Sequence, residues 1–148
     1  MLAREIMTVG PSCVTPDDPL SAAAELMRDL GVGIVPVVED RERRRLVGVI
    51  TDRDIAVRCV ARHHELGCLV HDHMTGHKLH TVSPNADVAY VMEMMEREQV
   101  RRVPVVHEDG SLVGIIAQAD MATKLGSEEA LEVKHMLERI SEPAHVLR

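Results

Sequence analysis

The sequence predicts an α/β (α+β) protein made of two β-α-β-β-α repeats related by a pseudo-twofold axis, plus a C-terminal helix. Three alignments of the chain with itself carry that prediction. "CVTPDDPLSAAAELM" (13–27) lies over "TVSPNADVAYVMEMM" (81–95), and "GVGIVPVV" (31–38) over "QVRRVPVV" (99–106), both at a shift of 68. "LVGVITDRDI" (46–55) lies over "LVGIIAQADM" (112–121) at 66, and Met7 over Met74 at 67. Between the last two blocks the shift falls only across the turn where "EDRERRR" is longer than "HEDGS". Duplication of a folded unit leaves that signature, because surface turns tolerate length changes.

Each repeat opens with a short β segment, Cys13–Thr15 or His80–Val82, ended by Thr15-Pro16 or Ser83-Pro84. Leu20, Ala23, Ala24 and Met27, and then Val88, Val91, Met92 and Met95, recur at helical spacing and mark one apolar face each. β-branched strands follow at Ile34–Val38 and Val103–Val106, with Asp109-Gly110 as a hairpin signal. The strands Leu46–Thr51 and Leu112–Ala117 then feed helices that begin at Asp52 and Gln118. "SEEALEVKHMLERISEP" (127–143) predicts a last helix capped by Ser127 and stopped by Pro143. Its stripe of Val133, Met136, Leu137 and Ile140 suits packing on the module or, preferably, on a second subunit. The expected boundaries are 1–62 for repeat 1, 63–72 for a linker, 73–126 for repeat 2, and 127–148 for the helix and tail.

Composition narrows the function. Neither Trp nor Phe occurs and Tyr90 is the single tyrosine, so the core is aliphatic and a planar ligand must sit between aliphatic side chains. A net charge of −7 argues against a sequence-independent grip on nucleic acid or on anionic lipid. Cys13, Cys59 and Cys68 form no disulfide framework and read as reduced thiols. "MLAREIMTVG" has no apolar signal core, so the expected location is cytoplasmic. No G-x-S-x-G, P-loop or His-Glu-x-x-His occurs, and the expectation is a non-enzyme.

The turn "GVITDRDI" carries the main candidate site. Thr51 closes a strand and Asp54 follows at a helix start, where backbone N–H groups favour an anion. A hydroxyl can donate to phosphate, and a carboxylate can accept both hydroxyls of a ribose diol. The same residues also spell a capping box, in which Thr51 serves only the helix. The two readings are compatible. In the second copy Asp120 persists, but Ala117 replaces the threonine and Ala119 replaces Arg53, which predicts one competent cleft and one weak or empty. Losing a charge-assisted hydrogen bond costs ~1.5–3 kcal/mol. Arg101 and Arg102, ahead of the second "VPVV" strand, are candidates for neutralising phosphates, against an ordinary solvated strand end.

With "GVITDRDI", "RRVPVV" and the doubled element order, residues 3 to 125 resemble the CBS domain family in its tandem-pair, or Bateman module, form. The resemblance implies two pseudo-symmetric clefts that bind AMP, ADP, ATP or another adenosyl ligand, and a disc-shaped homodimer of two pairs. It further implies that Val14, Thr15, Gly33, Ile34, Val35 and Pro36 flank an adenine, with Thr51 on phosphate and Asp54 on ribose; Arg53 is a further candidate for its charge, which Ala119 lacks. The reading is a stand-alone regulatory sensor with no required cofactor; an unidentified protein target is open, and a partner-binding scaffold without ligand is the alternative.

"RHHELGCLVHDHMTGHKLH" (62–80) concentrates histidines around Cys68. His71-x-His73 and Cys68-x-x-His71 lack a second matching half, so no metal ligands are assigned. The stretch reads as a solvated linker, and metal or redox sensing through it is the weaker alternative. "EDRERRR" reads as a solvated loop, and Met92, Met94 and Met95 as filling core gaps and a dimer seam rather than a metal-binding box.

Overall fold

The computed structural model describes residues 1–64, 67–126 and 130–141. Along the chain run α1 (Ala3–Ile6), β1 (Thr8–Val9), α2 (Leu20–Leu30), β2 (Ile34–Val38), β3 (Leu46–Thr51) and α3 (Asp52–Asp54). A five-residue π-helix (Ile55–Cys59) and 3-10 turns (Val60–Arg62, Val70–Asp72) continue it. Then come α4 (Val88–Glu98), β4 (Arg102–Val106), β5 (Leu112–Ala117), α5 (Gln118–Lys124) and α6 (Ala130–Ser141). Mixed helix and strand in this order is the expected α+β repeat fold. The opening β segments are reduced to single parallel bridges, Val14 to Val37 and Val82 to Val105.

The chain divides into two compact units. One is built on the first repeat, Gly10–Leu79 with Glu108–Leu112; the other holds Met1–Val9, His80–His107 and the chain from Val113 onward. Each unit therefore takes the lead-in segment of the other repeat. In the first-repeat unit, β2 and β3 pair antiparallel and Thr75 bridges to Val49. In the second-repeat unit, β1 adds to β5 with Thr8 opposite Ile115, giving the order β1-β5-β4. The glycine of each "LVG" makes this approach possible. A Cβ on Gly48 would stand 2.8 Å from the Thr75 carbonyl oxygen, and one on Gly114 would stand 2.5 Å from Met7 Sδ.

Two aliphatic cores result. Val14, Leu20, Ala23, Met27, Val35, Val37 and Ile50 form one, while Ala24 stays exposed and Leu26 packs in its place. Val88, Val91, Met92, Met94 and Met95 anchor the other, with Ile6, Ile116 and Met121. The α6 stripe corrects the subunit-contact expectation. Val133, Met136 and Ile140 are buried in that same core, and α6 packs on α4 and α5 of its own chain. The expected cap Ser127 and stop Pro143 lie outside the described residues.

Candidate metal centre

The reciprocal bonds of the capping box are present at the first-repeat turn. The Asp54 N–H donates to Thr51 Oγ1 at 3.0 Å, and the Thr51 N–H donates to Asp54 Oδ2 at 3.0 Å. Asp120 repeats half of this, accepting the Ala117 N–H at 2.7 Å. A local backbone duty thus accounts for an acid in both copies. Arg53 is exposed. Thr15 donates its N–H to Asp18, and Asp52 donates its N–H to the Gly33 carbonyl oxygen at 3.0 Å. Val14 and Val35 are buried in the core, Pro36 is buried, and Gly33 and Ile34 are half-buried. Arg101, Arg102 and Asp120 belong to the second-repeat unit. There the Gln118 N–H donates to the Arg101 carbonyl oxygen at 3.0 Å, matching Asp52 and Gly33.

A different constellation forms within the first-repeat unit. Cys59, His64, Cys68 and His73 each present one ligand atom, and all four atoms lie within 4.8 Å of one another. The π-helix ends on Cys59, which it turns into the core. His63, in the left-handed region at φ 57°, stops the 3-10 turn behind it and lets His64 fold back. Cys68 is held where its carbonyl accepts the Leu20 N–H at 2.9 Å and where Leu69 bridges to Pro19. His73 follows the turn Val70–Asp72, whose Val70 N–H donates to the Asp18 carbonyl oxygen at 2.9 Å.

The spacing of the donors suits a tetrahedral ion. Two thiolates at ordinary zinc–sulfur length stand about 3.8 Å apart on a tetrahedron's edge, and two imidazole nitrogens about 3.3 Å. The Cys59 and Cys68 sulfurs are 3.9 Å apart, and His64 Nδ1 and His73 Nε2 are 3.4 Å apart. His73 is the one buried polar side chain in the described core, at 4% exposure. Burial, and next the neighbouring His64, hold its imidazole below the ordinary histidine pKa, in the neutral form that ligates. Burial, and then the contact with Cys59, push the Cys68 thiol up, so an ion would have to displace its proton. Arg58 ties this cluster to the capped turn. Its Nη1 donates to the His73 carbonyl oxygen at 3.4 Å, and its Nε lies 3.8 Å from Asp54 Oδ1.

Sequence spacing missed two members of this set and included one bystander. His71 turns to the Pro16 carbonyl oxygen and to Asp72, away from the cluster. The two it missed are Cys59, outside the predicted linker, and His64, within it; His73 lies just beyond the linker, and the exchanged lead-in segment brings it to the others.

The sequence pattern of one family, the CBS domain, matches residues 3–60 and 70–127. Hypoxic response protein 1 of Mycobacterium tuberculosis is 37% identical over 123 residues, covering 83% of this chain and 84% of that protein. The crystal structure of Hypoxic Response Protein I with two coordinated zinc ions superimposes with a TM-score of 0.75 at 36% identity. That match covers 85% of this chain and 100% of the other. The structure of CBSX2 in complex with AMP is similar at 25% identity and a TM-score of 0.71, over 90% and 98% of the two chains.

Proposed function

Because the chain belongs to the CBS domain family, carrying two copies of that domain in tandem, we propose that it is a regulatory, non-catalytic protein whose first-repeat unit is held in its working form by a zinc ion. The observation that carries this reading is the set of four donors, Cys59, His64, Cys68 and His73, gathered within 4.8 Å. A relative with coordinated zinc supports it. Thiolates and imidazoles in a closed tetrahedral set are the donors of structural zinc, which contributes folding energy outright and leaves no open position for substrate. Bound there, zinc supplies cross-links. The four side chains would join the end of the π-helix, His64, Cys68 and the segment carrying His73, so occupancy would tie these pieces to one another.

Metal analysis of the protein purified without chelator tests the reading. We expect about one zinc per chain by this donor count. Cys59→Ser should lose it, whereas His71→Ala keeps it. A metal-free protein with no thermal shift on adding zinc sinks the reading.

Adenine-nucleotide binding is the second reading. The cap uses Asp54 Oδ2 and leaves Oδ1 facing Arg58 at 3.8 Å, so one carboxylate oxygen is available to a ribose beside the Thr51 hydroxyl. A neighbour bound to AMP supports it. Titration with AMP, ADP, ATP and S-adenosylmethionine tests it: binding by one that is lost in Asp54→Asn favours the reading, and no heat or thermal shift with any of them rejects it. Homodimer formation belongs with this proposal, and sedimentation with and without nucleotide measures it.

A further inference from the structure

We propose that Cys59 and Cys68 are also a modification site: a dithiol that peroxide oxidises to a disulfide, with disulfide and bound zinc excluding each other. This rests on the zinc reading above and goes beyond it, since a structural ion alone implies no response to oxidant.

Two features of the unit carry the inference. The sulfurs stand 3.9 Å apart, against about 2 Å in a disulfide, so bonding needs a shift of under 2 Å shared between two side chains. Both backbones are anchored, Cys68 through its carbonyl to the Leu20 N–H and Cys59 at the end of the π-helix, so rotation of the two side chains supplies the shift. Both cysteines also border open space. Cys59, Cys68 and His64 line one surface cavity of about 350 Å³, whose apolar wall includes Leu20, Ile55 and Val60. Hydrogen peroxide is small and uncharged and fits such a pocket, whereas a bulky charged oxidant does not.

The chemistry balances as a two-electron exchange. One cysteine sulfur attacks a peroxide oxygen; the S–O bond forms, the O–O bond breaks, and the departing hydroxide takes a proton to leave as water. The second sulfur attacks that sulfenic sulfur; the S–S bond forms, the S–O bond breaks, and a second protonated hydroxide leaves as water. Two electrons pass from the sulfurs to peroxide. A disulfide carries no thiolate charge, so only His64 and His73 would remain as ligands, and two imidazoles do not retain zinc against a chelating dye. A thiol reductant reverses the step.

The test uses the zinc-loaded full chain treated with hydrogen peroxide, with three readouts: zinc captured by a chromogenic dye, remaining thiols, and peptide mapping by mass. We expect one zinc released for every two thiols lost, a peptide pair linking Cys59 to Cys68, and re-uptake of zinc after dithiothreitol. Cys13→Ser should release zinc with the same dose dependence. Zinc retained while the Cys59 and Cys68 thiols disappear would overturn the inference and leave the metal reading standing. So would zinc released without a Cys59–Cys68 linkage. A chain that carries no zinc before treatment overturns both, and the metal analysis on the untreated sample tells the cases apart.

Discussion

Where the first repeat has Arg58 and Cys59, the second has Lys124 and Leu125, and the lead-in residue packed beside them is His73 in one unit and Ile6 in the other. The backbone duties are the same. Arg58 donates to the His73 carbonyl oxygen, and Lys124 Nζ donates to the Ile6 carbonyl oxygen at 2.8 Å. The side chains differ in kind. Ile6 is 1% exposed within an aliphatic core that includes packed Leu125, whereas buried His73 faces two sulfurs and a second imidazole. An apolar plug needs no partner. A buried imidazole costs stability unless something uses it. The helices after the strands diverge as well: α5 is regular and α6 covers it, while α3 passes at once into a π-helix with Val57 and Val60 exposed. π-helical turns cluster at functional sites, and here one delivers a cysteine. Duplication supplied two equal frames; one was completed with carbon and the other with donors.

That contrast can be broken most forcefully through the ion. Zinc at 100 to 1,000 times its dissociation constant should add ~2.7–4.1 kcal/mol, a rise of about 5–15 °C in Tm for a chain of this size. Circular dichroism is the suitable probe, because the chain has no tryptophan. The gain should vanish in Cys59→Ser; a gain that survives there would locate the ion elsewhere. Next in size is the plug. Ile6→Ala should cost ~2–5 kcal/mol in urea unfolding, with zinc dependence unchanged. A loss of zinc response in that variant would mean that the two units are not energetically separate.

Thr51→Ala gives the first turn the cap chemistry of the second and should cost ~1 kcal/mol. Ala117→Thr is the reciprocal gain, smaller and of opposite sign. If Thr51→Ala leaves stability untouched but weakens AMP binding, the hydroxyl serves a ligand rather than the helix. Smallest is the paired cation. Arg58→Ala and Lys124→Ala remove half-exposed charges from Asp54 and Asp120, at 3.8 and 3.7 Å, and each should change stability by ~0.5 kcal/mol or less. A larger loss for Arg58 alone, seen only in the zinc-loaded protein, would tie it to positioning His73.

The duplicated frame was legible because its rules are local. β3 and β5 occupy the predicted residues, α4 buries Val88, Val91, Met92 and Met95 as its spacing required, and Thr51 caps the helix that its pattern announced. Periodicity and capping operate within one or two turns of chain, so one sequence suffices to read them. The expectation for α6 failed at a longer range: its stripe was legible, but its neighbour, α4 and α5 of its own chain, was not.

The metal centre was of that second kind. Sequence identified a stretch rich in histidine but assigned no ligands in it, keeping metal sensing as the weaker alternative, because His71-x-His73 and Cys68-x-x-His71 lack a second matching half. What gathered Cys59, His64, Cys68 and His73 was the lead-in of the second repeat crossing to the first, together with a π-helix that turned Cys59 inward. The sequence by itself determined the repeat, its strands and helices, and the aliphatic character of both cores. Only tertiary structure decided which donors meet, because that depends on segments distant along the chain arriving at one place, and hydrophobic periodicity carries no information about their meeting point.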